Sequence, residues 1–178
     1  DLLSAVSPKA CLFLGKCGGL KHKCRIGDWI LPIAGIRGES TTDDYYDSHV
    51  PALPSFSLQR AVSDSITCFG QDYWTGTIYT TNRRVWEHDQ AFREYLTKLR
   101  CIGIDMETAT IFLVGFANDI AKGALLLVTD LPLQPEGVKT VESDRSVTAN
   151  YLDLHLLIGI DALKRVKESG KSVKHLRF

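Results

Sequence analysis

The sequence predicts an α/β domain, a sheet covered on both faces by helices. Three observations carry this. Short apolar runs with strand character alternate with stretches of helical spacing along the whole chain. Cys101–Ala109 (CIGIDMETA) passes from an apolar run straight into a helical pattern, as a buried strand feeding a helix does. Three of the apolar runs also end on chemically distinctive residues: Lys16 with Gly18 and Gly19, Asp105-Met106-Glu107, and Asp130. If those strands are parallel, the three sets share one edge of the sheet, where open α/β sheets bind ligands.

The 178 residues are 24% charged and 44% hydrophobic, which suits one globular domain over residues 1–178. A domain of this size buries on the order of 70% of its unfolded surface and builds a core without staples. Formal net charge is zero and no basic patch stands out, which argues against nucleic acid as a partner. No apolar run approaches the roughly 20 residues that span a bilayer. Five cysteines form an odd set in a chain too large to need a disulfide framework, and no signal peptide is visible; both favour the reducing cytoplasm. The opening Asp1–Pro8 lacks an initiating Met and reads as the last turns of a helix, so an N-terminal part of the domain is expected to be absent from this sequence.

Ala10–Lys16 reads as an apolar strand running into Gly18 and Gly19, which admit positive φ and close approach of a ligand. The order matches neither a Walker A loop nor GxGxxG, and a plain tight turn is the alternative. Cys17, His22 and Cys24 follow no zinc spacing and read as a core cysteine and surface residues, so no metal or other cofactor is expected. Gly27–Arg37 is a strand with an edge or bulge at Pro32. The long polar segment 38–54 covers a site or an interface. Ser55–Phe69 has the spacing of an amphipathic helix, with Gly70 at its C-cap. Tyr73–Thr81 is β-branched and aromatic, a strand. Its loop, 82–89, gathers Arg83, Arg84, Trp86 and His88 before a helix over Gln90–Leu99; substrate contact and a solvated loop are both open readings. Gly123–Thr129 is a buried strand ending in Asp130. A last long helix follows the prolines, beginning around Lys139–Arg145, and a basic tail, Lys171–Phe178, closes the chain.

The carboxylates also have open alternatives. Asp105 and Glu107 suit a helix start, where negative charge is favoured. Asp130 suits the opening of a turn, or, partly desolvated after LLLVT, a proton donor near neutrality.

GIDMETATIF followed by ALLLVTD, with GKCGGL upstream, resembles the purine nucleoside phosphorylase and nucleosidase superfamily. The runs GTIYTTNRRVWEHD, DLPLQPEGVKT and GKSVKHLRF resemble its AMP-hydrolysing branch. The resemblance implies a three-layer α/β/α fold around a central twisted mixed sheet. It implies hydrolysis of AMP to adenine and ribose 5-phosphate. Glu107 would hold the ribose hydroxyls, Met106 would pack under the sugar, Tyr79 and Ile104 would flank the base, and Asp130 would be the general acid. Arg145 falls in a region where members place an arginine behind that aspartate. Lys16, Arg83, Arg84, Lys139 and Arg145 are the candidate cations for the 5′-phosphate. Where phosphorylases carry an arginine and a serine for inorganic phosphate, this chain has Phe13 and Lys16, which favours water as the attacking species. The superfamily's first strands have no counterpart here. The resemblance further implies a homo-oligomer built from dimers, up to a hexamer. Phosphorolysis of purine nucleosides and non-catalytic nucleotide binding are the alternatives.

Overall fold

The computed structural model describes residues 1–135, 137 and 140–169. Lys139 and the basic tail therefore lie outside the described residues. Five strands and four α-helices alternate: β1 (Ala10–Gly19), β2 (Trp29–Gly38), α1 (Phe56–Cys68), β3 (Tyr73–Thr81), α2 (Gln90–Leu99), β4 (Gly103–Asp105), α3 (Thr108–Ala117), β5 (Ala121–Asp130) and α4 (Val141–Glu168). Short 3₁₀ turns over Leu2–Val6 and Thr41–Asp44 complete the chain.

The sheet is mixed and closes on itself in the order β1-β4-β3-β2-β5. β5 runs parallel to β1, and β3 parallel to β2 and β4. β4 is antiparallel to β1, and β2 to β5. The three residue-bearing strands are thus not all parallel, but their sets still converge. β4 is only three residues long and meets β1 at its last two residues, Gly18 opposite Ile104 and Gly19 opposite Gly103. Asp130 of β5 lies opposite the same Gly18. A short reversed strand at the tip of β1 brings Asp105 to the site that a parallel strand would also have reached.

Alternation along β5 divides the core. Leu125 and Leu127 face outward onto Val62 and Ile66 of α1 and Ile158 and Ala162 of α4. Ala124, Leu126 and Val128 face inward, packing with Ile30, Ile78 and Phe112 of α3. A strand buried on both sides is apolar throughout, which is why β5 reads as an unbroken hydrophobic run. β1 extends through Gly19, so its glycines belong to the strand and form no turn; the register shifts between Cys17 and Gly18. β2 shifts register between Pro32 and Ala34, at the proline that signalled a bulge. α1 buries Leu58, Ala61, Val62 and Ile66 and ends before Gly70, at φ +69. No described helix is long and apolar enough to cross a membrane.

Candidate active site

At the tip of β1 lies a cavity of about 530 Å³. Lys16, Gly18, Arg84, Ile104, Met106, Glu107 and Asp130 all line it. Thr81 at the end of β3, Trp86 and Glu87 in the β3–α2 loop, Phe13 on β1 and Thr129 line it too.

Asp105 and Glu107 divide their work. Asp105 is buried, at 6% exposure. Its Oδ2 accepts the Thr108 N–H at 3.0 Å and the Thr108 hydroxyl, and its Oδ1 accepts the Thr80 hydroxyl at 2.8 Å. Thr80 Oγ1 in turn accepts the N–H of Ala109 at 2.9 Å. Asp105 therefore caps α3 and fixes the angle at which that helix leaves β4. Burial pushes its carboxyl up to about 6, against hydrogen bonds from Thr108 and Thr80 that pull it down. Glu107 is exposed to the cavity; among the described residues its Oε2 accepts the neighbouring Met106 N–H, at 3.2 Å. That leaves a carboxylate facing the ligand space.

Asp130 ends β5 half-buried, with Oδ1 accepting the Thr129 hydroxyl at 2.8 Å. Gly18 sits close beside it: a Cβ there would stand 3.0 Å from Pro132 Cγ and 3.1 Å from Asp130 Oδ2, tighter than side chains ordinarily pack. Cys17, between Lys16 and Gly18, is buried, and its thiol is held well above its ordinary value by desolvation, then by Asp105 and Asp130. It stays a protonated thiol, unsuited to act as nucleophile.

Lys16 lines the cavity but is paired. Its ammonium donates to Asp144 Oδ1 at 2.8 Å and to Thr148 Oγ1 at 2.7 Å, both on α4. Arg83 is held by Asp89 at 2.6 Å and lies over the Phe92 ring at 4.6 Å. Arg84 is exposed at the rim.

Two expected contacts are not brought in. Tyr79 is buried at 8% exposure, its ring edge-on to Phe92 at 5.6 Å and to Tyr95 at 6.1 Å, and it does not line the cavity. Thr81, two residues on and so on the same side of β3, holds the rim that Tyr79 was expected to reach. Trp86 is at the wall, as is Phe13, and the Trp86 ring lies edge-on to Phe92 at 5.6 Å. A loop carrying a tryptophan among cations was the sequence signal for it. Arg145 is exposed on α4 and does not line the cavity. It is the next residue after Asp144, which turns toward Lys16, and successive helical residues are about 100° apart, so the two point in different directions.

A closed mixed sheet thus brings two carboxylates and a closely packed glycine to one cavity. The chain belongs to the phosphorylase superfamily, whose family profile matches residues 1–158. Among curated relatives it is similar to AMP nucleosidase of Escherichia coli K12, 32% identical over 181 residues. That match takes in 96% of this chain and 37% of the relative, so the chain spans little more than a third of its length. Among solved structures it is similar to the crystal structure of AMP nucleosidase from Bacteroides thetaiotaomicron. There the identity is 57% and the TM-score 0.83, over 95% of this chain and 68% of that one. A uridine phosphorylase from Vibrio fischeri shares the fold, with TM-score 0.77 at 20% identity over 93% of this chain and 66% of that one.

Proposed function

We propose that this chain carries the catalytic centre for hydrolysis of the N-glycosidic bond of AMP, releasing adenine and ribose 5-phosphate. The observation that carries this reading is the placement of Glu107 and Asp130 on one cavity, on either side of Gly18. The similarity to AMP nucleosidases supports the choice of substrate.

The bond that breaks joins C1′ of the ribose to the purine nitrogen. Its electrons leave with the base, and C1′ becomes cation-like. Adenine is a poor leaving group as an anion, so a proton must reach the ring as the bond lengthens. Asp130 delivers it, and positioned acids of this kind are worth roughly 10²–10⁴-fold. Glu107 accepts hydrogen bonds from the ribose hydroxyls, and its charge favours the developing cation. Met106 packs under the sugar, and Ile104 and Trp86 flank the purine, with Gly18 letting the ring approach the strand. Lys16, Arg83 and Arg84 all line the cavity and are the cations offered to the 5′-phosphate, Arg83 while paired with Asp89. Water adds to C1′ and gives up a proton to solvent. Asp130 recovers from solvent the proton it gave to adenine, so that AMP and water become adenine and ribose 5-phosphate with no net change in protons on the chain. The five free thiols suit a reducing, cytoplasmic setting.

Product analysis on AMP and adenosine, with and without inorganic phosphate, tests the reading. Adenine should appear from AMP in water alone, and faster than from adenosine. Release that requires phosphate would make the chain a phosphorylase. For the acid, Asp130→Asn should keep AMP binding within a few-fold and lower kcat by about two orders of magnitude. A nitrophenyl riboside 5-phosphate, whose leaving group needs no proton, should lose much less. Equal losses on both substrates would reduce Asp130 to a positioning role.

A further inference from the structure

The reaction occupies one end of the sheet, at the tips of β1, β4 and β5. At the other end, where β1 and β5 begin, Cys11 and Lys122 stand opposite each other in register. Lys122 is on the inward-facing side of β5, in line with Ala124, Leu126 and Val128, which are core residues. It is the one charged residue of that row, yet it is only 6% exposed. Its stem runs under Gly115 of α3, where a Cβ would stand 3.1 Å from Lys122 Cβ and 3.3 Å from its Cγ and Cδ. Its ammonium lies 5.0 Å from the centre of the Phe116 ring. Among the described residues that ammonium makes no hydrogen bond and no ion pair. Burial pulls it down from the ordinary lysine range, and the charge of Asp119 pulls it part of the way back.

Lys122 lines a second cavity, of about 310 Å³, which shares no lining residue with the catalytic one. Leu3 of the 3₁₀ turn Leu2–Val6, Ile111 and Val114 of α3, and Ile120 give it apolar walls. Among the described residues the other charged side chain on it is Asp1, whose carboxylate accepts the Tyr45 hydroxyl and the Asn118 amide. The volume is at the small end of the range that holds ligands. A buried charge is costly unless paired, so the occupant that stabilises this one brings an anionic group. Asp1 disfavours a second negative charge, and Lys122 disfavours a cation. An apolar body gains by filling the rest.

We propose that this second cavity binds a small monocarboxylate with an apolar body, its carboxylate on Lys122 and its body between α3 and the turn Leu2–Val6. The site lies apart from the AMP reading, and its test reads no activity.

Hexanoate, hexan-1-ol and hexylamine share one apolar chain and differ in the head, so titration calorimetry with the three reads the charge preference. Hexanoate should bind saturably, with Kd about 1 mM or tighter, and about tenfold or more tightly than hexan-1-ol; hexylamine should bind most weakly. In the hexanoate titration the Gly115 and Lys122 amide resonances should shift while that of Gly18 stays still. Lys122→Met keeps an apolar stem and removes the charge. It should bind hexanoate no better than hexan-1-ol and leave the affinity for hexan-1-ol within a few-fold of the parent. Val114→Trp fills the cavity with Lys122 in place and should abolish binding of both, which keeps the proposal refutable if the lysine variant does not fold. No saturable hexanoate binding below ~10 mM, or equal affinity for acid and alcohol, would overturn the proposal. So would shifts centred on Gly18, or hexanoate affinity unchanged in a folded Lys122→Met or Val114→Trp chain.

Discussion

Two carboxylates two residues apart, Asp105 and Glu107, both line the cavity but differ in setting: Asp105 is buried and hydrogen-bonded to Thr80 and Thr108, whereas Glu107 is exposed. Glu107→Gln should lower kcat/KM on AMP by roughly 10–150-fold, the equivalent of a lost charge-assisted hydrogen bond of about 1.5–3 kcal/mol. Its melting temperature should stay close to that of the parent. Asp105→Asn should be read in the pH dependence of stability. An acid whose folded pKa of about 6 lies above its unfolded value near 3.8 binds its proton more tightly in the native state. Its contribution is therefore greatest below pH ~4, falls as pH rises toward 6, and is flat beyond, a swing on the order of 3 kcal/mol. Thermal melts between pH 4 and 7 should show this slope in the parent and a flatter one in Asp105→Asn; parallel curves would refute it. At this scale the sequence was legible where a strand ends. Lys16, Gly18, Ile104, Met106, Glu107 and Asp130 all reach the cavity, because the tips of β1, β4 and β5 meet. It misled at Tyr79, since an aromatic in a strand does not declare how far along the strand the rim begins. The capping role of Asp105 was one of two readings, and only burial and the Thr108 N–H decided it.

Elements were read with fair bounds where caps and composition punctuate them. β3 and α2 begin and end where Tyr73–Thr81 and Gln90–Leu99 were expected, and Asp89 caps α2 through the Phe92 N–H at 3.0 Å. β1 outran its expected end, because glycine is permitted in a strand wherever another backbone or a ligand comes close. What no local pattern announces is contact between distant elements. Lys16 and Asp144 are 128 residues apart and join β1 to the first turn of α4. The pair is about a third exposed on each side, so removing it should cost less than about 1 kcal/mol. Its weight should fall on specificity. Lys16→Met should lower the preference for AMP over adenosine about tenfold or more, while Asp144→Asn, which leaves the ammonium without that partner, should not lower it. Steady-state rates on the two substrates check this. An unchanged ratio in Lys16→Met would move the phosphate to Arg83 or Arg84.

For the molecule as a whole, alternation of strands and helices foretold an α/β domain but not that its sheet would close. Closure depends on β4, whose three residues carry too little pattern to reveal their direction. It also leaves an asymmetry. β5 runs beside β1 from Ala10 to Gly18, whereas β4 joins β1 only at Gly18 and Gly19, with the Leu20 N–H donating to the Ile102 carbonyl at 2.9 Å just beyond. The ligand cavity sits on that short seam, with Gly18 on one side and Glu107 on the other. A ligand that holds both would act as a stitch, since the seam could not open until it left. Amide hydrogen exchange makes this visible. The Leu20 amide should exchange more slowly in the presence of adenine and ribose 5-phosphate, while Ile102, bonded to Thr77 on the β3 side, should change much less. Equal protection of both amides would mean that the ligand stiffens the whole sheet instead of closing this short joint.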